Sequence, residues 1–341
     1  MSVMRTGPGL ALLVAFLGGP VSAEETRTEL TVASIPSTRD GQPQSALYWA
    51  PSGAKEKPTP LLVFLHSWSS TYQQDCSPWW KEASTRNWLY LQPDFRGANT
   101  RPQACGSPLA RQDVLDAIDW ISDQYKVDPS RIYLAGASGG GHMAMLMASR
   151  HPERFSGVSA WVGISDLAEW HRFHTRGGKP GRYAENVVAC CGGLPGDSKA
   201  VTAEYIDRSP IHWLQNTGDL PLDLAAGVHD GKTGSVPIAH TLRAFNIVAK
   251  VRGADAVSED EMTQLQEHSR LEVPRKEDQQ VDPTYDRALH LRRHAGTARV
   301  TIFEGGHEGL AAPGCAWLEK QTRMTSATGR GATLQETPEA R

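Results

Sequence analysis

Apolar runs and helical stripes alternate along most of this chain. Leu61 to Leu65 (LLVFL) is a continuous apolar run behind a Pro-rich lead-in, and Trp88 to Leu91 (WLYL) is a second, ended by Pro93-Asp94. Runs of this kind suit parallel strands buried on both faces. A short helix is expected between them, over Tyr72 to Thr85. Ser107-Pro108 then supplies an N-cap and a first-turn proline. Val114, Ile118, Ile121 and Tyr125 follow at spacings of four, three and four, which draws one buried helical stripe. Arg131 to Ala137 (RIYLAGA) reads as a strand. A helix with Met143, Leu146 and Met147 on its inner face runs on to about Arg150, where His151-Pro152 stops it. Gly157 to Ile164 and Leu220 to Val228 read as further strands, and Pro237 to Val251 as a helix. Ala298 to Phe303 (ARVTIF) is the last core strand. Strands alternating with helices imply an α/β domain with a mainly parallel central sheet and helices on both faces.

Two stretches break the pattern. Residues 165–219 are Gly-, His- and Trp-rich and read as a loop-rich excursion above the sheet. Residues 254–295 are charged and read as an insertion with room for one helix. The chain ends differ from both. Arg5, the apolar run Leu10 to Leu17 and the small residues Val21-Ser22-Ala23 form the pattern of a secretory signal peptide over residues 1–23. The run falls well short of the roughly 20 apolar residues that span a bilayer. Residues 24–320 are then expected to form a single catalytic domain, with a small, polar, disordered tail over 321–341. Export, to the periplasm or outside the cell, permits disulfides. The five cysteines suggest Cys76 with Cys105, and Cys190 or Cys191 with Cys315, leaving one thiol over.

Composition narrows the partners. Lys plus Arg is 35 against 38 Asp plus Glu, a net charge of −3 with no basic run. That argues against nucleic acid and against an anionic membrane surface. No His/Cys/Asp cluster has zinc spacing and no Gly-rich loop suits a nucleotide, so no metal or cofactor is expected.

Chemistry concentrates at four places. Gly136-Ala137-Ser138-Gly139-Gly140 is a G-x-S-x-G motif set between a strand and a helix. That sharp turn strains the serine backbone and pushes its hydroxyl off the sheet edge, which makes Ser138 the candidate nucleophile. His66-Ser67-Trp68-Ser69 follows the first core strand. Its loop, with the residue after the serine, is where two backbone N–H groups can meet a developing oxyanion, so Trp68 and Gly139 are the candidate donors. His66 reads as a brace for that loop. Gly305-Gly306-His307 follows the last strand, the place of a general base. Asp230, after the penultimate strand, is placed to orient it. Asp166, Asp219 and Asp223 are the rival acids. His171 and His174 read as groups that line or cover the site.

The stretch RIYLAGASGGGHMAMLMASRHPERFSGVSAWVG, with Val236-Pro237 and the Gly-Gly-His at 305–307, resembles the α/β-hydrolase catalytic domain of the prolyl oligopeptidase family and its secreted esterase relatives. The resemblance spans residues 60–250 and 298–318. It implies an acyl-enzyme serine hydrolase. Two departures stand out. Gly231 to Ser235 lengthens the link between acid and Val-Pro, and Ser67 replaces the glycine usual after His66. The chain also has no room for the β-propeller that peptidase members often carry in front.

A carboxylic ester is the favoured substrate, as a small molecule or an oligosaccharide ester. Five of the ten tryptophans, Trp79, Trp80, Trp161, Trp170 and Trp213, fall in loops or near strand ends where some could stack on sugar rings. A prolyl oligopeptidase-type peptidase is the alternative. No paired-Glu motif for a peptide amino terminus is visible. A binding protein without activity is the third class, and three filled triad positions argue against it. Substrate-binding residues and oligomeric state are not readable.

Overall fold

The computed structural model describes residues 30–324, so the expected signal peptide lies outside the described residues, as does the tail beyond Met324. Along the chain run β1 (Thr31–Pro36), β2 (Pro43–Trp49), β3 (Thr59–Leu65), α1 (Ser77–Thr85), β4 (Leu89–Pro93), α2 (Pro108–Gln124), β5 (Val127–Ala137), α3 (Gly139–Arg150) and β6 (Gly157–Trp161). Then come α4 (Leu167–Phe173), a short ribbon of β7 (Thr175–Arg176) and β8 (Lys179–Pro180), α5 (Arg182–Cys191) and α6 (Lys199–Arg208). The chain returns through β9 (Leu222–Gly227), α7 (Ala239–Val251), α8 (Glu259–His268), β10 (Leu289–Ala295), β11 (Ala298–Phe303) and α9 (Ala311–Leu318).

Nine strands form one sheet in the order β1-β2-β4-β3-β5-β6-β9-β11-β10. The six central strands, β4 through β11 in that order, pair in parallel, and antiparallel strands close both edges. β3 is buried at every position, as its apolar run requires. The α2 start follows its sequence signal, with the Ser107 side chain accepting from the Ala110 N–H at 3.1 Å and proline in the first turn. Because all the parallel strands point one way, the segments that leave their C-terminal ends gather at one edge. Ser138, the 66–68 loop, Asp230 and His307 are all on such segments.

Four sequence expectations need correction. The edge hairpin β1–β2 was not anticipated, because only Ala33 and Ile35 of β1 are buried and Val32 faces solvent. β10 was missed inside the charged insertion, because its arginines disguise a buried strand. Arg293 is buried against Asp278 and Glu261, and Arg292 reaches Asp282 at 2.9 Å. The excursion over 165–219 is largely helical. Its helices α4 and α5 enclose a second apolar cluster of Trp68, Trp170, Val187, Cys190, Cys191 and Cys105. That cluster also undoes the thiol pairing. Cys105 sits in it while Cys76 and Cys315 sit in the main core, and all five cysteines are free and buried. Gln321 to Met324 are described and partly held down: the Gln321 carbonyl accepts from Tyr133 and Arg323 N–H donates to Ser130.

Candidate active site

The nucleophile turn is set by backbone packing. Ser138 has φ 58 and ψ −118, a conformation a β-carbon resists. It is held by Ser138 N–H donating to the Trp161 carbonyl at 2.9 Å and by the Ser138 carbonyl accepting from His142 N–H at 2.9 Å. The glycines around it are sterically required. A β-carbon at Gly140 would lie 2.0 Å from the Leu65 carbonyl oxygen, so α3 packs directly on the end of β3.

The same packing brings the backbones of Gly139 and the 66–68 loop together. A β-carbon at Gly139 would lie 2.3 Å from the Trp68 nitrogen, so these two backbones are in close contact. Gly139 is the first residue of α3, where the helix cannot satisfy its own N–H groups. The 66–68 loop is braced as expected of His66. That ring is fully buried, stacks on Phe95 at 4.0 Å, faces the Ser67 carbonyl at 3.0 Å through Nδ1 and lies 3.2 Å from Asp94 through Nε2. Ser67 O and Trp68 N belong to one peptide plane, so His66 fixes the plane that carries the Trp68 N–H. The serine that replaces glycine at 67 is accommodated by Gln74. Gln74 Oε1 accepts from Ser67 N–H at 2.7 Å, and Gln74 Nε2 donates to Ser67 Oγ at 3.2 Å.

His307 Nε2 lies 2.9 Å from Ser138 Oγ, and His307 Nδ1 lies 2.7 Å from Asp230 Oδ2. The Asp230 side chain is fully buried while that of His307 stays 23% exposed, so His307 is open to solvent and Asp230 is not. Asp230 Oδ1 is held separately, by Gly231 N–H at 2.9 Å and Val236 N–H at 3.1 Å. Two of the rival acids, Asp166 and Asp223, have other work. Asp166 caps α4, accepting from Ala168 N–H at 2.8 Å and Glu169 N–H at 3.0 Å. Asp223 is buried in β9 with Arg299 at 2.6 Å.

Three groups at the site were not anticipated in these roles. Ser235 Oγ lies 3.3 Å from His307 Nε2. The Ser235 carbonyl accepts from Trp170 Nε1–H and from His174 Nε2–H, both at 2.8 Å. His174 therefore carries its proton on Nε2, and burial pulls its pKa below the usual histidine range. Only the unusual length of the 231–235 loop marked this region in the sequence. Of the five tryptophans singled out, Trp79, Trp161 and Trp170 are buried, Trp213 packs under the Arg150 guanidinium at 3.4 Å, and Trp80 is half-buried. A cavity of about 470 Å³ lies at the opposite end of the strands, against Phe155, Ser156 and Leu220. Among the described residues no cluster of three potential metal ligands occurs, and no helix is long and apolar enough to cross a membrane.

The profile of the prolyl oligopeptidase family matches residues 80–258, more than half of the chain. The chain belongs to the prolyl oligopeptidase family. Its relatives and structural neighbours include esterases and peptidases. Curated relatives of this prolyl oligopeptidase family member include acetylxylan esterase A of Emericella nidulans, 25% identical over 30% of this chain and 37% of that one. The acetylxylan esterase of Coprinopsis cinerea is 28% identical over 36% of this chain and 35% of its own. The chain thus spans about a third of the length of these relatives. Solved structures share the α/β-hydrolase fold. The acylaminoacyl peptidase of Pyrococcus horikoshii superposes with a TM-score of 0.51 at 17% identity, over 67% of this chain and 36% of that one. A puromycin-hydrolysing peptidase of Mycobacterium tuberculosis reaches 0.54 at 19% identity, over 66% and 34%.

Proposed function

We propose that this chain is an exported carboxylic-ester hydrolase in which Ser138 attacks, His307 transfers the proton, Asp230 orients His307, and the N–H groups of Gly139 and Trp68 receive the oxyanion. The reading rests on one observation, the unbroken path Ser138 Oγ–His307 Nε2 and His307 Nδ1–Asp230 Oδ2 at 2.9 and 2.7 Å. In the acylation step Ser138 Oγ bonds to the ester carbon as its proton passes to His307 Nε2. The carbonyl oxygen takes the negative charge at the two N–H groups. The bond to the alcohol oxygen then breaks as His307 gives that oxygen the proton. Water repeats the sequence and frees the acid and Ser138. No metal or cofactor takes part in this sequence.

The acetylxylan esterases among the relatives support an acetylated sugar as the source of the ester. The residues that would hold the sugar are unassigned. The family match favours one other reading, a serine peptidase. Rates on p-nitrophenyl acetate to octanoate, acetylated xylan, methyl ferulate and aminoacyl-proline amides separate the two. Acetyl esters should be cleaved fastest. Faster release from an aminoacyl-proline amide than from any ester would overturn the ester reading in favour of the peptidase.

Export is supported by the N-terminal sequence pattern. An oxidising compartment would act on one thiol pair above others. Cys105 and Cys190 share the apolar cluster under α5. Peptide mapping without reductant should then recover Cys105 joined to Cys190, and both as free thiols in protein from the mature secretion would contradict it.

A further inference from the structure

The loop that lengthens the link between acid and helix carries a hydroxyl to the base. Ser235 Oγ lies 3.3 Å from His307 Nε2, the nitrogen that also faces Ser138 Oγ at 2.9 Å. Two hydroxyl oxygens therefore share the proton-transfer face of one imidazole.

The position is fixed from both sides. Underneath, the 231–235 loop wraps the Asp230 carboxylate through the N–H groups of Gly231 and Val236. It presses so tightly that a β-carbon at Gly234 would lie 2.2 Å from Asp230 Oδ1 and 2.6 Å from the His307 β-carbon. Above, the Ser235 carbonyl is clasped by Trp170 and His174 of the helical excursion, both at 2.8 Å. Trp170 is itself buried against Trp68, with ring centroids 4.6 Å apart, so the clasp and the oxyanion loop share one packed unit. A surface serine that met the base by accident would have neither support.

We propose that the Ser235 hydroxyl is a specificity-determining group that holds the leaving alcohol oxygen, and later the attacking water, at His307 Nε2. This rests on the triad reading given above. When the tetrahedral adduct collapses, the carbon–oxygen bond to the alcohol breaks and the proton on Nε2 moves to that oxygen. Ser235 Oγ, beside the same nitrogen, donates a hydrogen bond to the departing oxygen and returns unchanged, with no net proton of its own transferred. In deacylation it accepts from the incoming water while Nε2 takes the other proton. Such help matters where the leaving oxygen needs a proton, as an alkyl or sugar alkoxide does. It matters little for p-nitrophenoxide, which leaves as an anion.

The test compares kcat/KM, which reports acylation, for p-nitrophenyl acetate and ethyl acetate in the wild type, Ser235→Ala and Ser235→Thr. Ser235→Ala should lose roughly tenfold on ethyl acetate, about the worth of one neutral hydrogen bond. The loss on p-nitrophenyl acetate should stay under about threefold, and Ser235→Thr should keep the wild-type ratio between the substrates. An equal loss on both substrates, or none on either, overturns the proposal. Labelling of wild-type Ser138 by a fluorophosphonate keeps the two readings apart. If Ser138 is labelled and the substrate ratio does not move, only the role of Ser235 fails. If Ser138 is not labelled, the triad reading fails with it.

Discussion

The two halves of the candidate site are held by different physics. Around Ser138 the position is set by backbone against backbone: a strained φ, a helix seated on the end of β3, and glycines where a β-carbon would strike Leu65 or Trp68. Around Asp230 and His307 it is set by hydrogen bonds that cross between distant segments. His307 Nδ1 reaches Asp230 from 77 residues away, and Trp170 and His174 reach Ser235. The first arrangement is close backbone packing and is stiff. The second needs the 165–219 excursion, the 231–235 loop and the 305–307 loop to arrive together. The nucleophile half should therefore respond to mutation all or none, and the base half by degrees.

Ser138→Ala should give the largest effect, a loss of roughly five to six orders of magnitude in turnover with the fold intact by circular dichroism. Residual turnover within tenfold of the wild type would place the chemistry elsewhere. Asp230→Asn comes next. It keeps the shape but favours the wrong imidazole tautomer, for roughly a 10⁴-fold fall in turnover. Asp166→Asn should spare turnover, since Asp166 caps α4 and Asn is an equally good cap. If these two mutants exchanged behaviour, Asp166 would be the acid.

That contrast also explains what the sequence could and could not tell. The G-x-S-x-G turn, the central strands and the order Ser138, Asp230, His307 are written in short contiguous stretches, so they are readable without tertiary information. β10 is not, because buried arginines satisfied by Asp278, Glu261 and Asp282 look like surface. The helices of the excursion are not, because their apolar face packs on Trp68 and Cys105 from far upstream. Ser235 could not be found at all, since a serine near a histidine exists only after folding. The Cys76–Cys105 pairing failed for the same reason: both sit in loops of one half of the chain, but the loops lead into different clusters.

Loosening the clasp sharpens the comparison further. His174→Ala removes one of the two donors on the Ser235 carbonyl and should lower kcat/KM on ethyl acetate by about three- to tenfold, as one hydrogen bond among several. Labelling of Ser138 should be almost unchanged. A collapse of labelling to the level of Ser138→Ala would show that the two halves are one rigid unit.

Acid should weaken the fold from within the same regions. Burial lowers the pKa of His142, on α3, and of His240, on α7, to about 4. Above the unfolded value near 6.5 both states are neutral and nothing is lost. As the pH falls from there toward 4 the unfolded chain takes up these protons first, so stability declines across that window by on the order of a few kcal/mol. Urea midpoints measured from pH 7.5 to 4.5 should fall in the wild type and fall less steeply in His142→Gln. A midpoint flat over that range would remove the buried neutral histidines from the account.

The central claim is that Ser138 is the activated nucleophile, and covalent capture tests it most directly. Protein treated with a fluorophosphonate should gain one adduct, mapped by peptide mass spectrometry to Ser138 and lost in His307→Ala. An adduct on Ser235 or any other serine, or none at all on folded protein, would contradict it.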